Sequence, residues 1–387
     1  MNIKSLLLGS AAALVAVSGV QAADAVVVAE PEPAEYVRVC DVYGAGYFYI
    51  PGTETCLRVG GLIRQDIFGG KLLGRTDVPD YQDGGEHDSY DFRTRAELRF
   101  WTGQETELGT LSTYVSTRFD WLNGEFDGSQ GWLKYGWVQL GGLRLGKDES
   151  AFDAFSGYAG NVIQDSLIGY GGDFDTNLIS YTFDAGNGFS AIVSLEQGYN
   201  GEDGLGGLLP SGNIDFVPSN VINSYVPHIV GGIKYTQGWG SASFVAGYDS
   251  NYETIALKGR LGVNVGSNVE LWVMGAYSNH KYGRDGFATD HDFYKNWDGK
   301  WAVYGGGTYK VNEKTSLNAQ LSYDASKTFA AAANVSYDIV PGWNVTAEVD
   351  YVNQKNWHAA DAAIGTATSA HEKGDAWGVA VRFDRAF

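Results

Sequence analysis

From Leu57 onward the chain alternates between apolar and polar side chains, one residue at a time. In LSTYVSTRFDW, the residues Leu111, Thr113, Val115, Thr117, Phe119 and Trp121 share one face of an extended segment, and Ser112, Tyr114, Ser116, Arg118 and Asp120 share the other. TSLNAQLSYD sets Leu317, Ala319, Leu321 and Tyr323 against Ser316, Asn318, Gln320, Ser322 and Asp324. WNVTAEVDYVN sets Trp343, Val345, Ala347, Val349 and Tyr351 against Asn344, Thr346, Glu348 and Asp350. A period of two marks strands with one apolar and one polar face. The pattern predicts an all-β chain of about 16 strands, near 57–67, 91–102, 109–121, 131–140, 142–148, 176–184, 188–196, 229–237, 240–249, 252–266, 268–278, 300–310, 314–324, 327–338, 343–353 and 377–387. At about ten residues each, they have the length that a tilted strand needs to cross a bilayer.

The connections sharpen this picture. Long links at 68–90, 149–175, 197–228, 279–299 and 354–376 are rich in Asp, Gly, Asn and His, and mostly alternate with tight ones such as Gly141-Gly142, DAGNG, Gly266-Ser267-Asn268, VNEK and DIVPG. A soluble sandwich has no reason to collect its long loops at one end, whereas a membrane barrel has short turns inside and long loops outside. Trp101, Trp121, Trp132, Trp239, Trp301, Trp343, Tyr351 and Trp377 lie toward strand ends. They are expected to form headgroup-level girdles, although aromatics also favour strands in general. The final AWGVAVRFDRAF alternates like the rest and stops on Phe387. It is expected to be the closing strand, ending at the periplasmic interface.

Composition agrees with a strand-rich chain. Of 387 residues 53 are Gly and only 8 are Pro, and 14% are aromatic, far from the aromatic-poor make-up of disordered chains. The net charge of −19 argues against nucleic acid as a partner. The opening MNIKSLLLGSAAALVAVSGVQA carries a positive Lys4, an apolar run and a small-residue cleavage site, so residues 1–22 are expected to be a signal peptide. The alternative, a membrane anchor, needs a longer apolar run. Residues 23–56 are expected to form an N-terminal periplasmic segment ahead of a single barrel domain, 57–387. Its start, 23–36, is rich in Pro, Glu and Ala. The two cysteines, Cys40 and Cys56, suggest a disulfide in an exported chain, with two free thiols as the alternative.

The stretch CDVYGAGYFYIPGTETCLRVGG, with the MNIKSLLLGSAAAL leader and the later TELGTL and LGGLRLGKDESAF, resembles the porins of alphaproteobacteria, the rhizobial and Brucella-type family. Loop 197–228 has no match in that resemblance. The resemblance implies a sixteen-stranded, trimeric outer-membrane diffusion channel for small hydrophilic solutes, with outer-membrane lipids and lipopolysaccharide around it and no cofactor. In such porins the loop after the fifth strand, here about 149–175, folds inward and narrows the pore.

Candidate chemistry follows from the polar faces. In YDFRTRAELRFW, the residues Arg93, Arg95, Glu97 and Arg99 share a face. Guanidinium groups facing lipid cost ~2–4 kcal/mol each near the midplane, so this face is expected to meet water. Arg64, Arg118, Lys134, Arg144, Lys258 and Arg260 are further basic strand residues. The segment after the fifth strand brings Asp148, Glu149, Asp153, Asp165, Asp173 and Asp175. Arg93, Arg95, Arg99, Arg118, Lys134, Asp148, Glu149, Asp153 and Asp165 are therefore the candidate constriction residues. Acids opposed to a basic wall would set a transverse field, and the acidic balance predicts a weak cation preference. A selective channel, for example for sugars, is the alternative; of its expected lumen aromatics, only Tyr114 stands out. No H-E-x-x-H, G-x-S-x-G or phosphate loop is present. His87, His291 and His371 have acidic neighbours that could suggest a surface metal site, but solvated loop histidines account for them as well. Neither an enzyme nor a metal protein is expected.

Overall fold

The computed structural model describes residues 38–123, 131–172, 175–199, 220–280, 292–354 and 374–387. The signal peptide, segment 23–36, Asp173, most of loop 197–228 and His291, His358 and His371 lie outside the described residues. The alternating segments become strands β2 (Cys56–Gly69), β5 (Asp91–Thr106), β6 (Gly109–Leu122), β7 (Trp132–Leu140), β8 (Leu143–Glu149), β9 (Asp175–Asp184), β10 (Phe189–Glu196) and β11 (His228–Gln237). They continue as β12 (Gly240–Asp249), β13 (Thr254–Val265), β14 (Val269–Ser278), β15 (Trp301–Lys310), β16 (Thr315–Asp324), β17 (Phe329–Val340), β18 (Trp343–Gln354) and β19 (Gly374–Ala386). A two-residue piece, β1 (Phe48–Tyr49), adds to β2, and β3 (Arg75–Pro79) and β4 (Glu86–Ser89) make a hairpin within the first long connection. The sixteen long strands pair antiparallel with their sequence neighbours, and β19 pairs with β2. The cylinder is therefore closed, and no edge is left unpaired in a medium that cannot hydrogen-bond.

The closing strand does what its pattern predicts. Ala386 pairs with Leu62, the N–H of Phe387 donates to the carbonyl of Gly61 (3.1 Å), and the N–H of Gly61 donates back to the Phe387 carbonyl (3.0 Å). Gly61 has to be glycine: a Cβ there would lie 2.2 Å from the Glu97 carbonyl oxygen and 2.9 Å from the Phe387 ring. The disulfide joins Cys40 to Cys56, 16 residues apart, and ties segment 39–55 to the start of β2.

Burial is inverted relative to a water-soluble protein. On β16 and β18, Leu321 (55% exposed) and Val349 (48%) face outward, while Gln320 (2%) and Glu348 (3%) face in. Only a lipid environment stabilises such a wall. Leu321→Arg is expected to cost ~2–4 kcal/mol, read as a lowered urea midpoint of the reconstituted barrel. Leu108→Arg, in the open turn between β5 and β6, should leave the midpoint unchanged. Equal midpoints for the two variants would count against a lipid-facing Leu321.

Connections 107–108, 141–142, 185–188, 238–239, 266–268, 311–314 and 341–342 are short and lie at one end; the long ones lie at the other. Trp121, Trp301, Trp343, Tyr351 and Trp377 share the outward parity of their strands, and Tyr351 packs on Trp377 at 4.5 Å. Trp101 and Trp132 do not belong to the girdle. Trp101 shares its parity with Arg99, Trp132 stands directly opposite Arg118, and both look into the barrel. The expectation failed because position along a strand does not fix the face.

Candidate functional site

The inward faces of β2, β5, β6 and β19 carry a ladder of ion pairs whose partners the strand register sets side by side. Asp66 stands opposite both Arg93 and Arg382 and binds them at 2.5 and 2.6 Å. Arg64 faces Asp384 across the closing seam (2.7 Å). Arg95 grips the opposite Asp120 with two parallel bonds, 2.6 and 2.5 Å. Glu97 accepts from Arg99 (2.7 Å), Arg118 (2.9 Å) and the Ser116 hydroxyl (2.9 Å). Fork-to-carboxylate pairing of this kind is strong and holds orientation. Six guanidinium groups meet four carboxylates, an excess of two positive charges along this ladder.

Opposite the ladder, segment 150–172 runs inside the barrel. Ser150 caps a single helical turn, α1 (Ala151–Ala154), and the Ser150 hydroxyl and the Ala151 N–H donate to Glu196 of β10. Asp153 pairs with Lys258 of β13 at 2.6 Å, and both are fully buried. Wall side chains then donate to successive loop carbonyls: Ser243 to Ser156, Arg260 to Tyr158, Asn334 to Asn161, Gln320 to Asp165 and Tyr304 to Gly169. The N–H groups of Ile163 and Gln164 donate to Glu348 of β18 (2.5 and 2.7 Å). An irregular backbone inside a barrel needs partners for its polar groups, and here the wall from β12 to β18 supplies them. Gly171 fits because a Cβ would fall 1.6 Å from an Asp153 carboxylate oxygen.

The candidate residues thus divide. Arg93, Arg95, Arg99 and Arg118 stand together on the ladder. Lys134 pairs with Asp175 (2.5 Å), which also takes Lys147 (3.0 Å), and Asp148 pairs with Arg144 (2.5 Å). Glu149 accepts from the hydroxyls of Tyr135 and Tyr158. Asp153 faces Lys258 rather than lumen water, because the turn that carries it packs against the wall. Asp165 accepts from Tyr170 (2.7 Å), and burial pushes its carboxyl up to about 6. The acids opposed to the arginines therefore come mainly from neighbouring strands. The sequence shows each charge but not the register that couples them.

A second inward segment lies within link 279–299, whose Asp, Gly, Asn and His content predicts only a polar loop. Asp292, Phe293, Tyr294, Lys295 and Trp297 are buried. The Tyr294 hydroxyl donates to Glu196 (3.1 Å), the Asn296 amide donates to the Gly172 carbonyl (3.0 Å), and Phe293 stacks on His228. The signal was available: three aromatics within FYKNW are out of place in a solvated link.

The family model described as Porin subfamily matches residues 24–380. Porin Omp2b of Brucella suis biovar 1 is 46% identical over 400 residues, covering all of both chains, and Omp2b of Brucella canis is equally similar. Among solved structures, the outer membrane channel DcaP of Acinetobacter baumannii superposes with a TM-score of 0.58 at 15% identity, over 87% of this chain and 99% of its own. The anion-selective porin from Comamonas acidovorans gives 0.53 at 15% identity, over 86% and 100%.

Proposed function

The chain belongs to the porin subfamily and forms a general diffusion channel of the bacterial outer membrane, and we propose that its narrowest level lies between the ladder on β2, β5, β6 and β19 and the inward segment 150–172. It is a channel rather than an enzyme. The observation that carries the proposal is the chain of hydrogen bonds from segment 150–172 to β12–β18, which leaves the ladder as the open wall. Guanidinium groups such as Arg93 (25% exposed) and Arg99 (33%) keep part of their surface there. Small hydrophilic solutes and ions cross passively, driven by their gradients, past fixed charges that orient them.

The protein works as a homotrimer of independent pores, as the family resemblance implies. Ala331 and Ala333 stand on the outward face of β17 and are candidates for the contact; Ala332 points inward and is not. Planar-bilayer recording is expected to show ohmic KCl conductance that closes in three equal steps. Liposome swelling is expected to slow smoothly with solute size. A single preferred sugar would favour a selective channel, and single-step closure would exclude the trimer.

A further inference from the structure

One inward surface takes no part in the ladder. Arg58 of β2, Trp101 of β5, Tyr114 of β6 and Trp137 of β7 are directly opposite one another in successive registers. They form one row across four strands, one inward position beyond Arg99 toward the end with the short turns. Arg58 lies over Trp101 at 4.1 Å and also over Tyr47 of the disulfide-tied segment at 5.8 Å. Trp101 stacks on Tyr114 (5.4 Å, 27°), Tyr114 leans on Trp137 (5.6 Å, 48°), and Arg144 closes the row over Trp137 at 4.1 Å. The ring faces are thus largely spent on one another and on two guanidinium groups.

What is left for a solute is the rims. Ring edges carry the positive part of the aromatic quadrupole. Among the described residues, the indole N–H groups of Trp101 and Trp137 have no acceptor, and no carboxylate lies within ion-pairing distance of Arg58. Arg58 is therefore unlike the ladder arginines: π stacking, not an acid, holds it, and its fork of donors remains unspent. A guanidinium offers paired donors that match carboxylate and phosphate geometry. A sugar ring would instead need free aromatic faces.

We propose that this row is a docking site for small oxyanions, phosphates and carboxylates, on the periplasmic side of the constriction. The inference rests on the channel reading and adds a ligand class to it. A docked anion would obstruct the current, so the test is conductance in KCl with inorganic phosphate titrated on the side of the short turns. A saturable fall is expected in the parent channel. Arg58→Gln should raise the half-saturating concentration about tenfold, and Arg58→Lys, which keeps the charge but loses the stacked fork, should fall between. Acetate at fixed phosphate should compete for the same block if carboxylates share the site; a lack of competition would restrict the site to phosphates and overturn the wider class. Glucose should lower conductance only through viscosity. An identical phosphate response in parent and Arg58→Gln channels, or no saturable response, would overturn the site. KCl conductance without phosphate reports separately on the channel itself, so the two readings fail independently.

Discussion

Replacing Lys258 by methionine is expected to loosen segment 150–172 near its two ends, at Asp153 and Tyr170, and to raise both single-channel conductance and open-channel noise. The ammonium of Lys258 and the carboxylate of Asp153 are 2.6 Å apart and fully buried, and Lys258 also donates to the Tyr170 carbonyl (3.0 Å). Taking two charges out of water is costly, and removing one partner leaves the other uncompensated, at roughly 3–5 kcal/mol. That penalty shifts the balance between a docked and a released loop by about two to four orders of magnitude. It falls on the loop rather than on the barrel, whose strands stay paired. Other attachments survive: Glu196 holds the start of the segment, Glu348 its middle, and Ser243, Arg260, Asn334, Gln320 and Tyr304 still reach its carbonyls. The expected state is a slack strap, not an absent one.

The companion variant makes the argument discriminating. Methionine roughly fills the lysine stem, and Asp153→Asn keeps an acceptor for the Gly172 N–H (3.3 Å) while removing the charge. A buried ion pair replaced as a whole is often near neutral. The double variant Asp153→Asn, Lys258→Met is therefore expected to recover most of the parent conductance and quiet the noise. If Lys258→Met alone matches the parent in planar bilayers, the pair does not hold the loop. If the double variant is noisier still, packing rather than charge is what matters.

The sixteen strands were legible because each alternation is local: a period of two needs only neighbouring residues, and the lipid boundary makes it strict. Ends fell within four residues, as with 91–102 against β5 (Asp91–Thr106). What the sequence withheld depends on which residues oppose one another across strands. Arg93 and Asp66 are 27 positions apart, and Arg64 and Asp384 are 320 apart; only register brings them together. Asp153 and Lys258 were both visible as charges, yet their pairing depends on a loop path that has no period. Tyr114 stands out in the sequence as a lone lumen aromatic, whereas the row with Trp101 and Trp137 needs three strands aligned at once. Trp101 differs: it shares the parity of Arg93, Arg95 and Arg99 within its own strand, so its inward face is local information that nearness to a strand end does not carry.

Removing Arg93, Arg95 and Arg99 together is expected to reverse the sign of selectivity at the ladder. Six guanidinium groups against four carboxylates leave two positive charges in excess, and replacing three arginines by alanine leaves one negative charge. In a narrow passage with low-dielectric walls, local fixed charge outweighs the charge of the chain as a whole. The parent is therefore expected to discriminate less for cations than its net charge of −19 suggests. The triple variant should move the reversal potential under a KCl gradient decisively toward cations. The single variants separate charge from architecture. Without Arg93, Asp66 keeps Arg382, and without Arg99, Glu97 keeps Arg118 and Ser116. Without Arg95, Asp120 keeps no ion-pair partner among the described residues. Arg95→Ala should thus cost the most stability of the three, roughly 1–3 kcal/mol by urea midpoint, while each single change shifts selectivity by a similar step. A reversal potential unmoved by the triple change would place the narrowest level elsewhere along the barrel.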